Sequence, residues 1–186
     1  MTENKIQLNV PFAPQDEWYW CGPTCLSLVA RYWGKEVSAS EFARSAGINE
    51  HVGTSCAAMS CAARAEGFWV YETMRGSPEM LRALLADGIP TIVYVYHEEA
   101  TDHGYGELDH FHFEIVTGYT DIAFVCHDVD PSVDGGSENK HVSLEDFKKM
   151  WCSEPGADGR WLLALSPRQA DERFVPPHFS GEPHSS

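Results

Sequence analysis

Basic residues are scarce in this chain: 13 Lys and Arg stand against 28 Asp and Glu in 186 residues, a formal net charge of −15. Nucleic acid and anionic membranes are bound by concentrated positive charge, so neither is expected as a partner. Long apolar runs are lacking as well. No stretch reaches the roughly 18 apolar residues of a membrane span. The N-terminal MTENKIQLNVPF has neither the apolar centre nor the small-residue cleavage site of a secretory signal. Neither a CxxC pair nor an HExxH sequence, two signs of a zinc site, is present. Repeats and domain linkers are missing too. The chain therefore reads as a single domain over residues 1–167, long enough for a full hydrophobic core, and a Pro-, Ser- and His-rich tail over 168–186. A chain this rich in core residues does not need disulfides. Without a signal, its six cysteines are expected to be reduced and the protein cytoplasmic.

What the chain does have is QDEWYWCGPTCLSLVARYWG, residues 15–34, which places a cysteine where a helix begins. Cys21 is followed by Gly22 and Pro23, and then by Leu26, Val29, Ala30 and Trp33 at helical spacing. Proline suits the first helical turn, where its missing N–H leaves no bond unmade. A thiol at that end faces the positive pole of the helix and several free backbone N–H groups, which favour the nucleophilic thiolate. Gln15, six residues upstream, is close enough to offer its amide as an oxyanion donor. Cys25, one turn further on, reads as core. Trp18, Tyr19 and Trp20 serve equally as a cleft wall or as packing under the loop.

Downstream, IQLNVPF reads as a short strand, and Ser38 or Ser40 caps a helix ending at Gly47. Gly53-Thr54-Ser55 opens an Ala-rich helix closed by Gly67; FWVYETM is a strand, and Ser77-Pro78 starts another helix. TIVYVYH is a buried strand. The polar insertion EEATDHGYGELD separates it from HFHFEIVTGY and AFVCHDV, which form a hairpin. HVSLEDFKKMW is a short helix capped by Ser143, and RWLLALSP is the last strand. Helices followed by an antiparallel sheet make an α+β arrangement.

A nucleophilic cysteine needs a base, and the base needs a group that orients its ring. His112 leads the nine histidines because rigid strand backbone holds it; His110, two residues earlier on the same face, competes with it. Asp128 follows sixteen residues later on the partner strand, and then Asp130. Paired strands lie about 5 Å apart, so a carboxylate there reaches the imidazole. Shaping the turn before Pro131 is the other reading of these aspartates.

Taken in order, QDEWYWCGPTC, HFEIVTGY and HDVDPS resemble the papain-like bacteriocin-processing peptidases, which cleave leader peptides after a double glycine, and most of all their stand-alone relatives. NVPFAPQ, Gly53-Thr54-Ser55, DGIPTIVYV and VSLEDFKKMW extend the likeness over about residues 5–166. The resemblance implies a papain-like cysteine proteinase fold, α+β, with the nucleophile at a helix N-terminus and an antiparallel sheet carrying the His and the Asp. It implies Cys21 as nucleophile, His112 as general base and acid, Asp128 as the orienting group, and Gln15 with the Cys21 N–H as oxyanion donors. The family often has Asp-Pro at the orienting position, which here is Asp130-Pro131. Gap-free spacing from His112 and Gly118 favours Asp128. The implied partner is a peptide or amide substrate, and no cofactor or metal is implied. The acidic insertion and the missing transporter segments are departures from the leader peptidases. Three other readings stand beside this one: acyl transfer by the same triad, as in phytochelatin-forming transpeptidases; an inactive peptide-binding module; and a metal site built on His110 and His112 with His103, His127 or a cysteine.

Overall fold

A computed structural model describes residues 5–51, 53–97, 110–131, 136–152 and 159–167. A short strand β1 (Ile6–Gln7) leads to three helices, α1 (Cys21–Tyr32), α2 (Ala39–Ala46) and α3 (Cys56–Ala65). Next come β2 (Phe68–Thr73), α4 (Pro78–Ala86), β3 (Thr91–Tyr96), β4 (Phe111–Tyr119), β5 (Ala123–Asp128) and β6 (Ser137–Ser143). Helix α5 (Leu144–Met150) and strand β7 (Leu162–Pro167) complete the order. The polar insertion EEATDHGYGELD, with its candidate ligand His103, and the tail from residue 168 lie outside the described residues.

Among the described residues, serine starts four of the five helices. The side chains of Ser38, Ser55, Ser77 and Ser143 accept the N–H of Glu41, Ala58, Met80 and Asp146, satisfying donors that have no partner inside the helix. Of the two candidate caps for α2, Ser38 is the one used; Glu41 returns the bond, and Gly47 ends the helix at φ 61°. Helix α1 is the exception. Its N-cap is Trp20, with no side-chain bond.

The strands form one sheet in the order β2-β7-β3-β4-β5-β6, with all pairings antiparallel. β1 lies alongside β4 at Gly118 and Tyr119, beyond the point where β3 ends. A β-carbon on Gly118 would collide with the Ile6 carbonyl, so only glycine admits β1 there. One face of the sheet packs on the first three helices through Leu26, Phe42, Met59, Phe113, Ile115 and Trp161. The other is covered by α4 and α5 through Leu81, Leu85, Val95, Phe124, Phe147 and Trp151. The central strands are thus covered on both sides, which is why β3, TIVYVY, reads as a nearly continuous apolar run. Strand β6 is an addition to the sequence reading. Its SENKHVS has only Val142 buried, so no alternating pattern announces it.

Candidate active site

The N-terminal end of α1 has no side-chain cap. Thr24 donates its N–H to the Trp20 carbonyl at 2.9 Å, and Pro23 has no N–H, so the first-turn amides of Cys21 and Gly22 are left without intrahelical acceptors. Gly22 is held close to α3: a β-carbon there would lie 2.6 Å from Met59 Sδ and 3.3 Å from Thr54 Cβ. The Gly53-Thr54-Ser55 segment therefore braces the first turn of α1. Cys21 itself is partly exposed, while Cys25 is fully buried and donates its thiol to the Phe113 carbonyl at 3.3 Å.

Cys21, at the start of α1, is close enough to His112, near the start of β4, for the thiol to act on the titration of the ring. His112 Nε2 is 3.1 Å from Asp128 Oδ1. The carboxylate stands off the N–H axis, so this contact is an ion pair more than an aligned hydrogen bond. Burial alone would drive the proton off His112; Cys21 and Asp128 outweigh it and hold the imidazolium well above the ordinary histidine value. Burial pushes Asp128 the opposite way, toward protonation. His112, Lys140 and the Asp130 N–H overcome that and keep its carboxyl well below the usual range.

Gln15 is anchored beside them. Its backbone N–H donates to the Val129 carbonyl at 2.8 Å, one residue past Asp128. Its side-chain amide donates to the Trp18 carbonyl at 2.8 Å, which leaves the second N–H of that group. The structure thus sets Asp128 against His112 and Cys21 near the same ring, with Gln15 on the loop that enters α1. The competing residues sit elsewhere. His110 Nδ1 is 2.7 Å from the His97 carbonyl, with the ring stacked on Tyr96. Asp130 meets Asp128 through its backbone, donating its N–H to Asp128 Oδ1 at 3.1 Å. Trp18, Tyr19 and Trp20 form a chain of edge-to-face contacts at the α1 entrance.

A family model described as "Peptidase_C39 like family" matches residues 7–154, most of the chain. The chain belongs to the Peptidase C39-like family. Solved structures share the fold at low identity. The peptidase domain of Streptococcus ComA, a bi-functional ABC transporter involved in quorum sensing, aligns with TM-score 0.65 and 22% identity over 86% of this chain and 100% of its own. A double-glycine-motif protease from an AMS/PCAT transporter, solved with its leader peptide, aligns with TM-score 0.64 and 18% identity over 90% and 99%. A protein described as a C39-like peptidase from Bacillus anthracis gives 0.65 and 18% over 88% and 98%. No curated protein matches the sequence. Among the described residues, no helix is long and apolar enough to cross a membrane.

This member of the Peptidase C39-like family carries further charges around the site that the sequence reading passed over. Glu114, two residues after His112, is completely buried, and its Oε1 is 3.1 Å from His97 Nε2. Lys140 of β6 places Nζ 3.3 Å from Asp128 Oδ2 and 4.0 Å from Glu114 Oε1. The ligand atoms of His97, Glu114 and Asp128 lie within 4.8 Å of one another, a spacing a metal ion would accept. The Lys140 ammonium, however, already stands against both carboxylates. One signal was available in the sequence: a glutamate inside the apolar strand FHFEIVTGY, in phase with His112. Lys140 gave none, because it lies on the polar strand β6.

Proposed function

We propose that the protein is a cysteine peptidase working through Cys21, His112 and Asp128. The observation that carries this reading is the His112–Asp128 contact at 3.1 Å beside Cys21 at the uncapped end of α1, with the thiol and the carboxylate both raising the imidazole. In the proposed reaction His112 takes the Cys21 proton, and the thiolate forms a C–S bond to the substrate carbonyl carbon. The oxyanion is met by the second N–H of the Gln15 amide and the Cys21 backbone N–H, each worth about 3 to 4 kcal/mol in related chemistry. As the C–N bond breaks, His112 gives its proton to the leaving amine. A water molecule, deprotonated by His112, then cleaves the thioester and restores the thiol. Asp128 fixes the ring and stabilises the imidazolium. The chemistry needs Cys21 as a free thiol, and a reducing compartment such as the cytoplasm would keep it so. The transporter protease solved with its leader peptide makes a double-glycine peptide the first substrate to try.

Limiting iodoacetamide, applied from about pH 4 to about pH 9 and read by intact mass, tests the thiol directly. The expected result is a single rapid adduct at Cys21 well below pH 8, slowed in His112→Ala. Labelling of Cys21 no faster than of the other five cysteines would sink the reading. Cleavage of double-glycine peptides by the parent and not by Cys21→Ser then tests the reaction.

A further inference from the structure

Beyond the line from Cys21 to Asp128, the chain buries a second set of charges that the reaction above leaves without a task. Glu114 lies directly opposite Asp128 in the β4–β5 register and is wholly inaccessible to solvent. Its Oε1 is shared between His97 and Lys140, and its Oε2 has no hydrogen-bond partner among the described residues. Lys140 is opposite Cys126 in the β5–β6 register and reaches past it to Asp128 Oδ2. Burying a carboxylate is unfavourable unless it is paired, and a strand position between Phe113 and Ile115 would accept valine without that penalty. Packing alone therefore does not account for Glu114.

We infer that Lys140 and Glu114 are positioning residues of the proposed triad: Lys140 grips the far oxygen of Asp128 so that the near one faces His112, and Glu114 offsets the charge that Lys140 brings. The inference rests on the peptidase reading of Cys21, His112 and Asp128. Lys140 alone would cancel the negative charge that Asp128 presents to the imidazole. With Glu114 added, the three groups together carry one net negative charge, as Asp128 would by itself, while both Asp128 oxygens are held. The titratable groups around this cluster are Cys21 from α1, His97 at the end of β3, His112 on β4 and Cys126 on β5, with Cys25 beneath. His97 is bound to Glu114 with its ring centroid 6.1 Å from that of His112, so the pair also fixes the near neighbour of the imidazole.

The test is electrostatic in sign and needs no substrate. In the full chain, Lys140→Met and Glu114→Gln are compared with the parent by two readouts: the His112 ring titration by NMR and the pH at which Cys21 labelling sets in. Removing the positive charge should move both upward, and removing the negative charge should move both downward, each on the order of half to one pH unit. The double variant should return toward the parent, and Lys140→Arg, which keeps the charge, should stay with it. A merely structural role predicts loss of stability without opposite shifts. Shifts of the same sign, or folded variants with no shift, would overturn the inference. Should Glu114→Gln not fold, the Met and Arg variants at Lys140, an edge-strand side chain one-third exposed, still decide: an upward shift with Met only supports it, and equal behaviour rejects it. Slow labelling of Cys21 in the parent would fault the peptidase reading alone, while the ring titration would still report the coupling.

Discussion

Strand β4 is buried along both faces, and the two faces are built from opposite chemistry. Phe113 and Ile115 point into the core beneath the first three helices; His112 and Glu114 alternate with them and carry charge toward Asp128, His97 and Lys140. Phe113 is 2% exposed and Glu114 0%, so burial does not distinguish the faces; pairing does. Phe113 touches Tyr94 and Trp161, lies under the first turn of α1 and accepts the Cys25 thiol at its carbonyl. The apolar face thus fixes where α1 begins relative to β4. That placement brings the Cys21 thiol to His112. Rigid packing on one side supplies the geometry that polar groups on the other side use.

The largest loss of activity is expected at the thiol that meets the charged face. Cys21→Ser should lower peptide cleavage by about 10⁴-fold or more, an order of magnitude typical for loss of a nucleophile, with unfolding free energy below about pH 6 unchanged to within about 0.5 kcal/mol. Steady-state cleavage and urea titration measure the two together. On the apolar face the outcome inverts. Phe113→Ala should cost about 3 to 5 kcal/mol of stability by leaving a cavity between α1, Tyr94 and Trp161. Chemical denaturation reads that loss, and the remaining folded protein should label at Cys21 more slowly because the first turn of α1 has lost its support. Gln15→Ala comes next, with kcat down by roughly 10²-fold and KM little changed if its amide meets the oxyanion only in the transition state.

Much of the apolar face was legible from the chain. The caps at Ser38, Ser55, Ser77 and Ser143, Gly47 at the end of α2, and the runs of β3, β4 and β5 announce themselves through local chemistry. Cys-Gly-Pro was legible for the same reason, since Pro23 and the tight Gly22 contact are local demands of a helix start. Other features depend on what meets across the sheet. Periodicity shows that α4 and α5 are amphipathic but not that they cover the opposite face from the first three helices. Strand β6 is polar and lies at an edge, with Asn139 at φ 56°, so it breaks the alternation that would reveal it. The Lys140–Asp128–Glu114 contact joins three strands; Glu114 alone leaves a trace, as a glutamate within an apolar strand, and nothing local ties it to Lys140.

A smaller effect sharpens the link between the thiol and the imidazole. Because His112 is raised above its ordinary value of 6.5, its charged form stabilises the fold fully below that pH. The contribution is lost as pH climbs through the raised value. In Cys21→Ser a leading cause of the raise is gone, so stability should begin to fall at a lower pH than in the parent. Urea midpoints across neutral and mildly alkaline pH decide it, and coincident curves would show that Cys21 and His112 are not coupled.

The smallest effect contrasts two cysteines of one helix. Cys25 lies one turn beyond Cys21, fully buried, with its thiol pushed well up by burial first and by the Cys21, Glu114 and Asp128 charges after it. Its partner is a backbone carbonyl on the apolar side of β4, not an imidazole on the charged side. Cys25→Ala removes a small buried group and a weak S–H donor, so the expected cost is about 1 kcal/mol in denaturation midpoint. Labelling at Cys21 should stay within about twofold of the parent, since Phe113 still supports α1. Position relative to the two faces of β4, rather than the thiol itself, then separates a reactive cysteine from an inert one. A large fall in Cys21 labelling in this variant would show instead that the Cys25 bond to Phe113, and not the packing of the ring, sets the start of α1.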